Sequence, residues 1–304
     1  AAQAASMNAI QGQEIYLRVL LAQAQTSTTE VQSLYRFIKN RLSNYPPSKQ
    51  QMLSRDIAVY RGWLDLLVEQ DPLGRFSSLG ELLLTTIKDH EKQTYATTTT
   101  LSDEEAPLPD YNQLYSSFWD ALIQHKNTAY LRIFMRMGFD PLTEIYGSTP
   151  VHAWISNEEI DFDEQDIAIM RAIFEERGAL DLWTFVIGKK TTLLHLAVHY
   201  KRKNLIDFLL DKGFKEYINL RDEAYQMTPL ELLVFDAEKL GYDSSYLTTM
   251  VLDDETPEEL AHRLALVDYL IGQGANPNFF SQASLADIPS AFVDLIEHAR
   301  AHMA

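Results

Sequence analysis

The sequence predicts an all-α protein in two parts, an N-terminal helical bundle followed by a solenoid of repeated helix pairs. Three observations lead to this prediction. The first hundred residues contain long segments with apolar residues at helical spacing. A stretch rich in threonine, acidic residues and proline follows at 94–111 and lacks apolar periodicity. Beyond it, a short unit recurs with similar turn residues each time.

The N-terminal part is predicted to contain four amphipathic helices, beginning with the segment at 10–25. The second helix has an apolar stripe made of Val31, Leu34, Tyr35, Ile38 and Leu42. The third has a stripe made of Leu53, Ile57, Tyr60, Leu64 and Leu67. Ser78 and Glu81 have the spacing of a capping box ahead of the fourth helix. We therefore predict a helical domain at 7–96 and a linker at 97–110.

The remaining residues, 111–304, contain the recurring unit. It opens with a motif seen as STPVHAWI, TTLLHLAV and MTPLELLV, which start at Ser148, Thr191 and Met227. A second helix follows and ends in a glycine-containing turn, as in LLDKGF and IGQGAN. This unit resembles the ankyrin repeat, whose period is about 33 residues. The resemblance implies a stack of helix pairs joined by β-turn fingers.

The distance from the opening Ser/Thr to the closing glycine differs among the copies. It is 21 residues in two of them, from Ser117 to Gly138 and from Thr192 to Gly213. It is 29 and 46 residues in the other two, which predicts insertions of about 8 and 25 residues between their two helices. We expect about four repeats over 111–280, with a C-terminal helix that caps the stack.

Charge and composition limit the partners. The net charge is −17; residues 1–105 carry 10 basic and 12 acidic side chains, and residues 106–304 carry 16 and 31. This excess repels nucleic acid and anionic membranes, so a neutral or basic protein surface is the expected partner. The chain has no cysteine, which removes disulfides and thiolate metal sites. We expect a monomeric, cytoplasmic protein without a membrane-spanning helix.

Two histidines raise the question of a metal site. His195 and His199 are four residues apart, the spacing of a helical zinc site. Such sites have a glutamate directly after the first histidine, where this chain has Leu196, and local spacing supplies no third ligand. The ankyrin resemblance implies instead that His195 and His152 hydrogen-bond the backbone of a neighbouring turn, with Glu231 in the equivalent position. The sequence therefore predicts no metal and no cofactor.

The resemblance implies partner binding through the fingers and the first helices, which line a concave face. The fingers are predicted at 140–148, 181–190 and 219–227, and they are unusually apolar for exposed turns. Aromatic and arginine side chains often anchor interfaces. The predicted partner-binding residues are Ile145, Tyr146, Trp183, Phe185, Lys189, Arg221, Tyr225 and Met227. The alternative is that these side chains pack against each other or against the helices.

The insertions predict a second surface. Residues 156–166 and 235–259 are acidic, while the equivalent loop between them, 199–204, is basic. Either the basic loop neutralises an acidic ridge, or the ridge docks a basic partner.

Three further interpretations concern the function of the whole protein. Degenerate repeats, insertions, absence of cysteine and a helical N-terminal part are similar to effectors that intracellular bacteria deliver into eukaryotic cells, which implies secretion into the host cytoplasm and a host protein as partner. No hydrolase elbow, kinase signature or complete phosphate-binding loop is present in the sequence. An enzyme in the N-terminal domain, with repeats that recruit its substrate, stays an alternative, as does a structural or oligomerising component.

Overall fold

A computed structural model describes residues 12, 14–22, 28–43, 50–99, 111–144, 148–157, 160, 162–177, 183–186, 189–224, 226–235, 256–278, 297–298 and 301. Helices account for 74% of these residues, which confirms the all-α class. Two compact units are present: Ala1–Asp140 with Ala168–Arg177, and Pro141–Ile167 with Gly178–Ala304. No helix in the described ranges has both the length and the apolar composition that crossing a membrane requires.

The first unit begins with four helices that share an apolar core. They are α1 (residues 14–22), α2 (Thr28–Ser43), α3 (Gln50–Gln70) and α4 (Ser77–Thr99). Of the predicted stripe residues whose side chains are described, Tyr35 is half-buried, and the others are buried: Leu34, Ile38, Ile57, Tyr60, Leu64 and Leu67. Two more helices follow in this unit, α5 (Tyr111–Gln124) and α6 (Thr128–Arg136). The predicted linker falls partly on the last turn of α4 and partly on 100–110, outside the described residues, so the predicted domain limits stay predictions.

The turn between α3 and α4 is organised by a buried carboxylate. Asp71 accepts the backbone N–H of Arg75 at 3.0 Å and that of Phe76 at 2.8 Å, and the Tyr130 hydroxyl donates to it at 3.1 Å. The capping box predicted at Ser78 is wrong: α4 begins at Ser77, so Ser78 lies inside the first turn. Asp71 satisfies the amides just before the helix instead.

Asn127 connects α6 to this turn. Its side-chain oxygen accepts the N–H of Tyr130, which caps the N-terminus of α6. Its amide nitrogen donates to the carbonyls of Val68 at 2.7 Å and Asp71 at 3.2 Å. One buried side chain thereby fixes the start of α6 against the end of α3.

The later elements alternate short and longer helices. In chain order they are α7 (Pro150–Ser156), α8 (Glu164–Arg177), β1 (Trp183–Val186), β2 (Lys189–Thr192), α9 (Leu193–His199), α10 (Lys203–Asp211), α11 (Pro229–Phe235) and α12 (Pro257–Gly272). A single 3₁₀ turn, Phe214–Tyr217, follows α10. Threonine begins several of these helices because its hydroxyl accepts an N–H of the first turn: Thr149 caps α7, Thr192 caps α9 and Thr256 caps α12.

The closing glycines share one backbone conformation. Gly138, Gly213 and Gly274 have φ of 96°, 99° and 107°, the left-handed region in which a side chain is strained. Each follows the end of a helix, where this conformation terminates the helix. The sequence periodicity therefore coincides with repeated local geometry at these three positions.

The end of the chain is described at three helical positions, residues 297–298 and 301. His298 Nε2 lies 2.5 Å from Asp268 Oδ1 of α12. The rest of the predicted capping helix lies outside the described residues. Of the predicted insertion at 235–259, Phe235 belongs to α11 and residues 257–259 to α12, while 236–255 lie outside the described part.

Candidate partner-binding site

The central predicted finger is a β-hairpin. Strands β1 and β2 are antiparallel, with Trp183 opposite Thr192, Phe185 opposite Lys190, and Val186 opposite Lys189. Residues 187–188, which connect the strands, lie outside the described part. Lys189 and Lys190 are exposed, whereas the next two residues of β2 are buried. The hairpin therefore has a solvent-facing tip and an embedded base.

The base of the hairpin is tied to the following finger. The Thr191 hydroxyl donates to Asp222 Oδ2 at 2.5 Å, and both side chains are buried. The backbone N–H of Glu223 donates to the carbonyl of Lys190 at 3.0 Å. These two bonds hold the hairpin at a fixed position relative to residues 219–227.

His195 makes a second connection between the same two fingers. It is fully buried, and its Nε2 lies 2.9 Å from the carbonyl oxygen of Leu220 and 3.1 Å from that of Met227. Because both partners are acceptors, Nε2 carries the hydrogen, and Nδ1 accepts from the Thr192 hydroxyl at 2.6 Å. The backbone contact implied by the ankyrin resemblance is therefore present. Burial lowers the pKa of His195, opposed by Asp222 and the two carbonyls, so the imidazole is neutral.

Glu231 occupies the equivalent position on α11 but forms different bonds. One carboxylate oxygen accepts the N–H of Thr228 at 2.7 Å, while the Thr228 hydroxyl accepts the N–H of Glu231 at 3.2 Å. This reciprocal pair is a capping box. The other carboxylate oxygen binds the guanidinium of Arg221, which also donates to the carbonyl of Gln226 at 2.7 Å.

The predicted partner-binding residues have different positions in this site. Lys189 is exposed at the hairpin tip, and Met227 is half-buried with its carbonyl bonded to His195. Arg221 is exposed but paired with Glu231, so it also stabilises its own finger. Three of the set, Ile145, Tyr146 and Tyr225, lie outside the described residues, and Trp183 and Phe185 are described through their backbone on β1. Their role in binding stays a prediction.

Sequence reasoning missed two residues that organise the site. Asp222 was not singled out because an aspartate in a polar turn usually faces solvent, yet here it is buried against Thr191. Lys190 was not singled out because its role depends on which backbone carbonyl the neighbouring finger uses. The repeat spacing offers a signal for the first pair: 31 residues separate Thr191 and Asp222, close to one repeat.

The family model for the ankyrin repeat matches residues 189–223. The match is to a single ankyrin repeat. It begins at β2, includes α9 and α10, and ends at Glu223, so it covers the hydrogen-bonded base of the hairpin described above. No curated protein and no solved structure matches the chain. An ankyrin repeat implies a protein partner, whereas the count of four repeats stays a prediction.

The basic loop of this ankyrin repeat binds the loop after α7. Arg202 donates to the carbonyls of Ile155 at 3.2 Å and Asn157 at 2.6 Å, and its guanidinium lies 5.5 Å from the centre of the Phe162 ring. Asn204 donates to the carbonyl of Phe162 at 2.9 Å. These bonds join the basic loop to backbone carbonyls, so neutralisation of the acidic ridge by this loop stays a prediction.

The adjacent lysine is bound within its own region. Lys203 Nζ lies 2.5 and 2.6 Å from the two carboxylate oxygens of Asp207, and 3.7 Å from the centre of the Tyr269 ring. Burial and the neighbouring Asp207 raise the pKa of Tyr269 to about 12. Two of the three cations of the basic loop are thus held by groups of the protein itself.

Among the described residues of 1–105, Asp65 and His90 have shifted pKa values, the feature that would favour the enzyme alternative. Partial loss of hydration raises the pKa of Asp65, opposed by the positive charges of Arg61 and His125. Burial lowers the pKa of His90, and Arg61 lowers it further. Within the described ranges, no group of three His, Asp or Glu side chains is placed to hold a metal ion. Partial burial accounts for both shifts, while Arg61 opposes the one at Asp65 and adds to the one at His90.

Proposed function

We propose that this protein is an adaptor that binds a partner protein through the fingers and concave face of its ankyrin repeats. The observation that supports this most directly is the hairpin at 183–192. Its base is anchored by Asp222 and His195, while Lys189 at its tip faces solvent. A preorganised element loses little conformational entropy on binding, so its contacts contribute more fully to affinity.

The test is affinity capture from eukaryotic cytosolic lysate with mass spectrometry. We expect the wild type to retain a partner that Trp183→Ala combined with Tyr225→Ala loses, because aromatic side chains of a finger are interface anchors. The matched control is Tyr200→Ala combined with Tyr217→Ala, which truncates two half-buried aromatic residues of the same repeat outside the fingers. Thermal denaturation of each variant reports whether it stays folded.

Three outcomes are informative. A partner lost by the folded finger variant and kept by the control supports binding through the fingers. Equal capture by all variants contradicts it and moves the contact to the acidic ridge or to residues 7–96. A large fall in the melting temperature of the finger variant alone means that Trp183 and Tyr225 are packing residues.

We further propose that the adaptor is monomeric and acts in the cytoplasm of a eukaryotic cell after delivery by a bacterium. This rests on the similarity of the sequence to delivered effectors. Sedimentation at increasing protein concentration tests whether the protein is monomeric, because the mass of a monomer does not change with concentration. Parallel capture from bacterial and eukaryotic lysates tests whether the partner is a eukaryotic protein. A specific partner found only in the bacterial lysate would contradict a host target.

A further inference from the structure

The loop between α5 and α6 has the same backbone geometry as the loop between α9 and α10, inside the matched ankyrin repeat. Lys126 has a φ of 49° and Lys201 has a φ of 56°, two of the three non-glycine residues with positive φ among those that the structure describes. The residue after each lysine is the N-cap of the next helix, Asn127 for α6 and Arg202 for α10. Each N-cap lies 11 residues before the closing glycine of its repeat. The two loops are therefore equivalent.

Both N-cap side chains donate to backbone carbonyls at the end of an earlier helix. Asn127 donates to the carbonyl of Val68, in the last turn of α3, and to that of Asp71, the residue that follows α3. Arg202 donates to the carbonyl of Ile155, in the last turn of α7, and to that of the residue that follows α7. Because α7 is the first helix of the preceding predicted repeat, α3 has the corresponding position before α5 and α6.

The packing of the helices agrees with this correspondence. Helix α3 contacts α5 and α4 contacts α6, and α7 contacts α9 as α3 contacts α5. A Cβ added at Gly80 of α4 would lie 2.6 Å from Cε1 of Tyr130 on α6, so these two helices approach closely. Farther along, Lys88 donates to the carbonyl of Met137 at 2.9 Å. The chain advances in the same direction on both helices between these contacts, so α4 and α6 are parallel, as successive second helices of a repeat stack are.

Helix α6 also contacts the second helix of the following predicted repeat. The Arg136 guanidinium donates to both carboxylate oxygens of Glu176 on α8, at 2.9 and 2.6 Å. Arg132 donates to Glu175 on the same helix at 2.6 Å. Helix α6 is therefore bonded to α8 as well as to α4, and each repeat in a stack needs such neighbours to bury its apolar faces.

A terminal repeat needs a polar outer surface, because no further repeat covers it. Helix α4 contacts α2 as well as α6. The exposed side chains described on α2 are polar: Thr29, Gln32, Ser33, Arg36, Lys39 and Asn40. The N-terminal helices therefore combine a buried contact with α5 and α6 and a polar surface on α2.

We propose that α3 and α4 take the place of a repeat before the first ankyrin repeat and, with α2 outside them, cap the N-terminal end of the stack. The sequence does not reveal this role, because α3 and α4 have 21 and 23 residues, whereas α9 and α10 have 7 and 9. The inference goes beyond the proposed function, since it assigns a role to helices that take no part in finger binding. It also gives them a function that requires no active site.

The test is Gly80→Ala in the full chain, measured by amide hydrogen exchange with mass spectrometry. The added methyl group meets the ring of Tyr130 and separates α4 from α6. In a stack, loss of a cap opens the neighbouring repeat most and distant repeats least. We expect exchange to become about tenfold faster in α4 and over 118–136, less so in α8, and to stay unchanged in α9 and α10.

Gly62→Ala is the matched control, because Gly62 lies on α3 and an added Cβ there has nothing within 4 Å. Alanine favours a helix over glycine, so this variant should exchange at the wild-type rate or more slowly. If Gly80→Ala does not fold, Asn127→Ser replaces it. Serine keeps an N-cap oxygen for α6 but loses the amide that reaches the end of α3, so the same gradient should appear at smaller size.

Four results would overturn the inference. Wild-type exchange in the folded Gly80→Ala protein would show that the contact between α4 and α6 supports neither helix. Faster exchange confined to α4 would show that α5 and α6 are stable without the N-terminal helices. Equally faster exchange from α4 to α10 would indicate one cooperative unit without a separable cap. The same effect in Gly62→Ala would trace the change to the loss of a glycine.

Discussion

At the scale of single residues, one position of the repeat motif is occupied by a histidine in one copy and by a glutamate in another. His195 donates to the carbonyls of Leu220 and Met227 from a fully buried site. Glu231, at the equivalent position, accepts the N–H of Thr228 and binds Arg221. Both side chains hydrogen-bond backbone groups of the fingers, and a buried polar group that loses its partner costs roughly 1–3 kcal/mol. The side chain at this position therefore has to form hydrogen bonds with nearby backbone groups, and an imidazole is one of the groups that can do so.

His195 should make the stability of the protein depend on pH. Burial lowers its folded-state pKa below the value of about 6.5 in the unfolded chain. Below that pH the unfolded chain binds more protons than the folded one, so the free energy of unfolding decreases as pH falls from 7 to 5. We expect His195→Gln, which keeps a donor, to be less stable at pH 7 by about 1–3 kcal/mol. Its stability should also decrease less steeply over this range than that of the wild type.

Urea denaturation at several pH values measures this dependence. The control is His262→Gln, since His262 is exposed on α12, and this variant should reproduce the slope of the wild type. A His195→Gln slope equal to that of the wild type would contradict the prediction.

At the scale of elements, the helices and their closing turns were predictable because they depend on local signals. Apolar spacing located α2 and α3, and the closing glycines located three helix ends. The start of α4 was missed because Asp71, seven residues before Ser78, satisfies the preceding amides. A capping group supplied from a turn leaves no fixed spacing in the sequence.

The same reasoning explains what was predictable at the candidate site. The finger was located from the repeat, but its direction of hydrogen bonding was not, because that depends on the bond between Lys190 and Glu223. Arg221 was chosen as a binding residue because arginine is common at interfaces. Its bond to Glu231 is a contact between residues ten positions apart, which composition does not reveal.

Arg202 should act as a clamp on the loop that follows α7. It donates to the carbonyl of Ile155 in the last turn of α7 and to that of Asn157 just after the helix, and its guanidinium lies over the Phe162 ring. We expect Arg202→Lys to cost about 1–2 kcal/mol of unfolding free energy, because an ammonium keeps the charge but loses the fork of donors. Amide hydrogen exchange should become faster at 155–163, while exchange in β2 stays unchanged.

Lys215→Ala is the control for this clamp, because Lys215 is exposed in the 3₁₀ turn after α10. It should leave both stability and exchange as in the wild type. An Arg202→Lys protein with wild-type exchange at 155–163 would show that the loop is held by other contacts.

At the scale of the whole molecule, the charge is distributed unevenly along the sequence, and several of the described cations are paired with carboxylates. Arg132 and Arg136 bind Glu176 in the first unit, and Lys203 and Arg221 bind acidic partners in the second. The pairing of Arg136 with Glu176 raises the pKa of the arginine and lowers that of the glutamate. Residues 106–304 carry 31 acidic and 16 basic side chains, so we expect a net repulsion among their carboxylates.

This surplus predicts that salt stabilises the protein near neutral pH. Raising NaCl from about 0.01 M to 0.15 M shortens the screening length from about 30 to 8 Å, which weakens repulsion between distant carboxylates more than attraction within close pairs. We expect the melting temperature at pH 7 to rise by a few degrees over this range. Near the isoelectric point of about 4.8 the net repulsion disappears, so the same salt should raise the melting temperature little or lower it. Differential scanning calorimetry at both pH values measures the difference. A salt effect of equal size at the two pH values would show that ion exclusion or apolar burial, rather than charge repulsion, controls the response.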